Sequence, residues 1–253
     1  MEFVSGCKER IFVNPGLGCP SECSYCYLPF KGLSVGEAIQ NTKSSGLLIE
    51  DVLNSDLFMV GKAGSIISIG CFTECWDAST REITKELIVY FLEQGNPVQF
   101  ATKRYVNAEN IKHLVESVKY KGQLTVFVSC ATINAANIYE KGTTHPKKRL
   151  SCIKKLETLG IPAYLYIKPV IQAVTINDIE EFKYYAEGRC SGVIVGSQFI
   201  EKSDALGSNP LLVDGLIVKE AGDECEIKQQ LGLVATVYSQ SIDAVNYWRN
   251  LSE

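Results

Sequence analysis

The chain has 253 residues, of which 46% are apolar and 21% charged, and its net charge is −4 with a pI near 5.4. This is the composition of a globular protein, and no apolar run reaches the roughly 18 residues that a membrane-spanning helix needs. The acidic balance gives no support to nucleic-acid binding, which depends on lysine and arginine at the phosphates.

Short apolar runs alternate with helical patterns along the chain. The first strand is predicted at Glu9–Asn14, and it leads into the loop Pro15–Cys19. Further strands are predicted at Ser65–Gly70, Pro97–Thr102, Leu124–Ser129, Ile161–Val170 and Gly192–Gly196. The helices between them are predicted at Thr80–Gln94, Asn107–Lys119, Pro146–Leu159 and Ile176–Glu187.

Six such repeats predict an α/β fold, a partial (β/α)6 TIM-like barrel with parallel strands, helices outside and a C-terminal extension. We expect residues 1–200 to form the core and residues 201–253 to form an extension packed on it. Within the extension, Leu211–Lys219 is predicted as a strand and Ser241–Leu251 as a short helix. In such folds the substrate binds at the carboxyl ends of the strands.

Three cysteines follow the first predicted strand with the spacing C-x3-C-x2-C, at Cys19, Cys23 and Cys26. Three thiolates bind three irons of a [4Fe–4S] cluster and leave the fourth iron open for chemistry, whereas an electron carrier usually has four. Zinc is the alternative, but a structural zinc site needs four ligands, and neither His113 nor His145 is near the loop in sequence.

The start of the chain, MEFVSGCKERIF, lacks the basic and apolar regions of a signal peptide. We therefore expect a cytoplasmic protein without membrane attachment, in a compartment that keeps thiols reduced. Ten cysteines in that setting indicate metal binding or catalysis rather than disulfides. The basic run Lys147-Lys148-Arg149 is interpreted as a solvated helix face.

The cysteine spacing after a first strand, with an aromatic residue before the third cysteine, resembles the signature of the radical S-adenosylmethionine (SAM) superfamily. Within that superfamily the chain is similar to the spore photoproduct lyase branch. The similarity covers roughly residues 14–171 and is carried by the segments Asn14–Leu28, Ile69–Glu74, Phe100–Lys103, Phe127–Leu150 and Ile161–Ile171.

The resemblance implies an enzyme whose [4Fe–4S] cluster, held by the three cysteines, reductively cleaves SAM to a 5′-deoxyadenosyl radical that abstracts hydrogen from a substrate. It also implies that Tyr27 lies near the adenine and that Lys103 and Ser129 contact SAM. Gly70 and Glu74 belong to the element that would hold the SAM amino group. An ordinary surface lysine and a strand-end serine bonded to backbone remain the plainer interpretations of Lys103 and Ser129.

Cys71 matches the position of a cysteine that, in the lyase, returns a hydrogen atom to the product radical. Packing as a small buried residue is the alternative for this cysteine. We expect Cys75 and Cys130 to meet Cys71 at the barrel mouth, as a redox pair or substrate contact, and Cys152 to serve packing. Cys190 and Cys225 receive no role from the sequence.

Partners follow from the same resemblance. We expect a reductant such as flavodoxin or ferredoxin and a substrate that is a small molecule, a nucleoside or a peptide. The resemblance to the lyase branch makes DNA a candidate substrate, but the acidic net charge of the chain does not support DNA binding. The alternative function is a non-catalytic iron–sulfur or zinc-binding protein that acts as a sensor or binding module.

Overall fold

The structure, a computed structural model, describes residues 2–201 and 216–251. An eight-stranded sheet forms its centre. In spatial order, which is also chain order, the strands are β1 (Val4–Gly6), β2 (Arg10–Val13), β3 (Ile66–Ile69), β4 (Val98–Thr102), β5 (Leu124–Ser129), β6 (Ala163–Ile167), β7 (Gly192–Val195) and β8 (Val237–Tyr238). Strand β1 is antiparallel to β2, and every later neighbour pair is parallel.

All six predicted strands are present in the predicted order, and the predicted fold class, a partial α/β barrel with outer helices, is confirmed. The sheet also contains β1 and β8, which the sequence analysis did not predict. These two strands have only three and two residues. Such short segments carry too little apolar alternation to be read as strands.

Most of the helices cover the sheet on its outer side, whereas the last one packs against one end of the barrel interior. Those in the described part of the chain are α1 (Ser45–Leu53), α2 (Arg81–Glu93), α3 (Ala108–Val115), α4 (Ala136–Tyr139), α5 (Pro146–Leu150), α6 (Ile153–Thr158), α7 (Ile179–Ala186), α8 (Glu224–Gly232) and α9 (Ser241–Asn250). Short 3-10 helices lie at Leu28–Lys31 and Thr175–Asp178. None of the helices in these ranges is both long and apolar enough to cross a membrane.

The ends of these helices follow local sequence. The side chain of Asn107 accepts a hydrogen bond from the amide of Glu109, as expected of an N-cap. Gly95 follows α2 with a φ of 85° and donates to the carbonyl of Leu92, which closes the helix. The predicted helix at Pro146–Leu159 is instead divided into α5 and α6 by a turn around Ser151.

Successive side chains along each strand point to opposite faces of the sheet, so each face has its own hydrophobic core. On β2, Ile11 and Val13 belong to the large core between sheet and helices, while Arg10 and Phe12 face the interior of the barrel. A second, smaller core fills one end of the barrel interior. Its members come from four strands and from α9: Ile66, Phe127, Tyr164, Ile194, Ala244 and Val245.

Residues near the C-terminus contribute to both ends of the barrel. Helix α9 packs into the smaller core, and Trp248 donates a hydrogen bond from Nε1 to the Tyr164 hydroxyl at 2.7 Å. The segments Gln198–Glu201 and Leu216–Lys219 pair as two antiparallel strands outside the central sheet. Of the strand predicted at Leu211–Lys219, residues 211–215 lie outside the described residues, and the remainder is the second strand of this pair.

Candidate active site

A cavity of about 410 Å³ opens at the carboxyl ends of the strands. The cysteine loop borders it on one side, and the antiparallel strands Gln198–Glu201 and Leu216–Lys219 contribute Phe199 and Leu216. All nine site residues predicted from the sequence line this one cavity, namely Cys19, Cys23, Cys26, Tyr27, Gly70, Cys71, Glu74, Lys103 and Ser129. Their placement follows from the parallel sheet, which brings the residues after successive strands to the same edge.

Backbone contacts hold the cysteine loop in place. The Cys19 amide donates to the Ser34 carbonyl at 3.0 Å, and the Cys26 amide donates to the Cys23 carbonyl at the same distance. Cys23 lies in a two-residue strand that pairs with Glu140–Lys141. The loop is therefore tied to the segment that follows β5.

The three loop thiols are partly exposed to the cavity. Burial and the nearby Glu74 carboxylate raise the pKa of the Cys19 thiol to about 12, and burial also raises the pKa of Cys23 and Cys26. These shifts apply to the metal-free thiols. A bound metal requires thiolates, so binding would release their protons.

The donor set fits an iron–sulfur cluster by its chemistry, because three thiols from one loop face the same space. Within the described ranges, no group of three or more His, Cys, Asp or Glu side chains is arranged to hold a metal ion. A [4Fe–4S] cluster would bind each of the three thiolates at a separate iron.

Glu74 lies in the loop after β3 and is 6% exposed. Its carboxylate accepts hydrogen bonds from the amides of Trp76 and Lys103 and from the hydroxyl of Thr102. The adjacent Thr73 hydroxyl is buried and has no hydrogen-bond partner in the described part of the chain. A polar group of a bound ligand would satisfy it, because buried hydroxyls rarely remain unpaired.

Gly70 allows this loop to turn directly after β3. Its φ is 88°, which is the left-handed region that favours glycine. A Cβ atom at this position would lie 2.7 Å from the Cβ of Cys75. Only glycine therefore fits here, and the turn carries Cys71 and Glu74 to the cavity wall.

Lys103 is not an ordinary surface lysine. Its ammonium donates to the Ser129 hydroxyl at 2.7 Å and lies 3.9 Å from the Glu140 carboxylate. Burial alone would lower the pKa of Lys103, but the charges of Glu140 and Cys23 outweigh it and raise the pKa. Lys103 is thus held as a cation beside Ser129 at the cavity wall.

Glu140 and Arg149 were not predicted as part of the site. Both side chains are fully buried and form an ion pair, and Arg149 Nε also donates to the Ser129 carbonyl at 2.8 Å. Glu140 accepts a further hydrogen bond from the Tyr25 hydroxyl. The pair therefore connects the cysteine loop with the end of β5.

The interpretation of Lys147-Lys148-Arg149 as a solvated helix face is wrong for its last member. Lys147 and Lys148 are exposed, but Arg149 is 0% exposed. The helical positions of three consecutive basic residues differ by about 100° each, so one of them turns inward. Only the presence of Glu140 in the fold makes that inward position tolerable for a charge.

Tyr27 and Cys71 contact each other across the cavity wall. The Tyr27 hydroxyl donates to the Cys71 carbonyl at 2.5 Å and lies 3.5 Å from Cys71 Sγ. The Tyr27 ring also packs edge-on against Phe199, with 5.6 Å between ring centroids. Cys71 lines the cavity, whereas its role as a hydrogen donor stays a prediction.

The expectation that Cys75 and Cys130 meet Cys71 at the barrel mouth is wrong. Both are fully buried in the large core and neither lines the cavity. The Cys130 thiol donates to the carbonyl of Thr132, and the Cys75 thiol donates to the carbonyl of Ala101. Their side chains point to the helix side of the sheet, and Cys152 is buried in the same core as predicted.

No family model matches the chain. An uncharacterized protein of Acidianus two-tailed virus, ORF301, is 20% identical over 236 residues, which cover 88% of this chain and 77% of that protein.

Comparison with solved structures shows that the chain shares its partial-barrel fold with two proteins whose structures contain S-adenosylmethionine, and the predicted resemblance is confirmed at the level of fold. One similar structure is a spore photoproduct lyase variant with bound AdoMet and dinucleoside spore photoproduct. It aligns with a TM-score of 0.60 and 14% identity, over 88% of this chain and 72% of the lyase.

A second similar structure is SuiB of Streptococcus suis bound to S-adenosylmethionine. It aligns with a TM-score of 0.59 and 14% identity over 92% of this chain. The chain spans about half of the SuiB chain, at 51%. At these identities the similarity is one of fold.

Proposed function

We propose that this chain is a radical SAM enzyme that abstracts a hydrogen atom from a substrate bound in the barrel. The observation that carries the proposal is the meeting of three cysteines of one loop with the strand ends at a single cavity. The fold is that of enzymes whose structures contain SAM. Because fold alone does not fix function, the site residues carry the argument.

Cys19, Cys23 and Cys26 would hold a [4Fe–4S] cluster. When bound, the cluster would supply the electron that cleaves SAM to a 5′-deoxyadenosyl radical. The remaining residues position SAM. Lys103, kept cationic and fixed by Ser129, suits the SAM carboxylate.

Next to Lys103, whose amide bonds the Glu74 carboxylate, Gly70 places Glu74 and Thr73 at the wall, where a carboxylate and an unpaired hydroxyl suit the SAM amino group. Tyr27 supplies an aromatic ring for the adenine. Cys71 would return a hydrogen atom to the product, because its S–H bond breaks as a C–H bond forms and leaves a thiyl radical on Sγ.

Substrate, partners and organisation belong to the same proposal. The substrate is a small molecule, a nucleoside or a peptide, and the similar structures contain a dinucleoside in one case and a precursor peptide in another. A reductant such as flavodoxin or ferredoxin supplies electrons in the cytoplasm. Residues 1–200 form the catalytic core, and residues 201–253 an extension packed on it.

Anaerobic reconstitution with iron and sulfide tests this function. We expect about four irons per chain and an electron paramagnetic resonance spectrum of the reduced protein that changes when SAM is added. Cys23→Ala should lose iron and SAM cleavage, whereas Cys190→Ala, which alters a cysteine outside the cavity lining, should keep both. Unchanged iron and cleavage in Cys23→Ala would refute the proposal.

The alternative function makes a different prediction in the same experiment. A non-catalytic binding module would purify with about one zinc per chain and no iron. Elemental analysis of anaerobically purified protein separates the two.

A further inference from the structure

Arg10 is a cation at the floor of the cavity. It is the first residue of β2, so it lies at the opposite end of its strand from the cysteine loop. Its guanidinium lies 4.6 Å above the ring of Phe12, and both side chains line the cavity. Ser241, the first residue of α9, closes this end.

The polar partners of Arg10 are all neutral. Nε donates to the Ser68 hydroxyl at 2.7 Å, and Nη2 donates to the Ser241 hydroxyl at 3.3 Å. In the amide orientation that satisfies both groups, the oxygen of Gln99 lies 2.6 Å from Nη2. Across residues 2–201 and 216–251, no side chain accepts from Nη1 and no carboxylate pairs with Arg10.

Holding the charged guanidinium of Arg10 in this position is unfavourable in free energy, and an anionic ligand would reduce that penalty. Burial lowers the pKa of Arg10, with the surrounding tyrosine and cysteine groups acting in the opposite direction, and the group stays charged because arginine is not deprotonated in proteins. A partly buried charge without a counter-ion is costly to maintain. Arg10 lines the cavity, and the two N–H groups of Nη1, which bond no described side chain, remain available to an incoming anion.

We propose that Arg10 binds an anionic group of the substrate, a carboxylate or a phosphate, at the floor of the barrel. The planar guanidinium matches two oxygens of such a group. Phe12, Phe127 and Tyr166 line the same space and suit an apolar or aromatic body attached to that anion. The bound substrate then extends from Arg10 towards Cys71.

The inference rests on the proposed function, in that it places the substrate below SAM in the same cavity. Lys103 and Ser129 occupy the mouth, so the carboxylate of SAM has its own cation there. Arg10 is accordingly a specificity residue for the substrate rather than part of the SAM site.

The test uses benzoate, phenyl phosphate and the neutral benzyl alcohol as probes, titrated by calorimetry into the reconstituted protein saturated with SAM. We expect at least one anion to bind about tenfold or more tightly than the alcohol, and the tighter anion identifies carboxylate or phosphate. Arg10→Gln should weaken that anion by about 10- to 150-fold, which is the range of a hydrogen bond to a charged group. Arg10→Lys should keep part of the affinity.

Arg189→Gln is the matched control, because Arg189 stacks on Tyr184 and does not line the cavity. It removes the same charge and should leave every affinity unchanged. Anions that bind the parent protein no more tightly than the alcohol, or that bind Arg10→Gln equally well, would overturn the inference. If Arg10→Gln does not fold, the affinities of the parent protein for the three probes still decide the question.

SAM binding separates this inference from the function beneath it. Without substrate, Arg10→Gln should bind SAM with the parental affinity, because the inference places Arg10 outside the SAM site. Loss of SAM binding in this variant would assign Arg10 to the SAM site and contradict the inference. A parent protein that neither binds iron nor cleaves SAM would refute the proposed function instead.

Discussion

A single buried ion pair organises much of the site at the residue scale. Arg149 and Glu140 lie between the cysteine loop, which contributes Tyr25, and the end of β5, which contributes Ser129. Two charges removed from water are tolerated only when both are paired and hydrogen-bonded. The pair thereby fixes the distance between the loop that would hold the cluster and the residues that would hold SAM.

Removing one partner of this pair should be costly. Arg149→Met should lower the free energy of unfolding by about 3–5 kcal/mol, because it removes the guanidinium paired with the buried Glu140 carboxylate and leaves only the Lys103 ammonium, 3.9 Å away. Urea denaturation followed by circular dichroism measures the loss. Lys148→Met, on the exposed neighbour, should change stability by less than about 0.5 kcal/mol.

The double variant Arg149→Met with Glu140→Gln gives an internal check. Because the amide removes the buried charge that has lost its closer partner and can keep neutral hydrogen bonds, the double variant should be more stable than Arg149→Met alone. Fully additive losses would show that the two side chains do not act as a pair.

Cys71 offers a second residue-scale prediction. Cys71→Ala should retain iron and form 5′-deoxyadenosine at the parental rate, because neither process needs the thiol. With a substrate supplied, it should lose the normal product or yield misquenched products. Product analysis by mass spectrometry measures the change, and turnover at the parental rate would rule out the donor role.

Helix α9 is the element that decides whether the barrel has a floor. Ala244 and Val245 pack into the smaller core with residues of four strands, and Trp248 bonds Tyr164. Without α9, this apolar end of the barrel would face water. Helix α9 is thus part of the structure that gives the cavity its depth.

Shortening a buried apolar side chain of α9 should therefore destabilise the whole protein. Val245→Ala should cost about 2 kcal/mol, which combines the lost burial of two methyl groups with the cavity left behind. Thermal unfolding measures this cost, and Asn250→Ala on the exposed end of the helix is the control. Equal melting temperatures for parent and Val245→Ala would show that α9 does not contribute to the core.

Over the whole molecule, the cysteines divide into separate environments. Cys7 and Cys225 are exposed, the three loop cysteines and Cys71 line the cavity, and Cys75, Cys130 and Cys152 are buried in the core. Burial raises the pKa of Cys130 to about 12 and that of Cys152 to about 11. Since the thiolate is the reactive form, burial and pKa act together to make these thiols inert.

Alkylation kinetics should report this division. With iodoacetamide at pH 8, Cys7 and Cys225 should react at least about 100-fold faster than Cys130 and Cys152, because few buried thiols are ionised at that pH. The raised pKa predicts that labelling of Cys152 increases as the pH rises towards 11. Peptide mass spectrometry follows each site, and urea-unfolded protein, in which all sites react, is the control. Early labelling of Cys130 in folded protein would contradict the assignment.

The sequence by itself determined the parallel barrel and the identity of the residues at its mouth. Six strands of alternating or continuous apolar residues, each followed by a helical pattern, allow few arrangements, because crossovers between parallel strands are right-handed. The carboxyl ends of those strands must then share one edge, which is why residues as distant in sequence as Cys19 and Ser129 line one cavity. The residue patterns along the chain were sufficient to predict these features.

Only the tertiary structure decided which charges lie inside. Arg149 and Arg10 look like other arginines in the sequence, and their burial depends on partners 9 to 231 positions away, such as Glu140 and Ser241. The same holds for Cys75 and Cys130, whose side of the sheet depends on the register of the strand ends, and for β8, whose two residues pair only because β7 is already in place. Long-range contacts of this kind leave no periodic pattern along the chain, so local propensity and spacing do not reveal them.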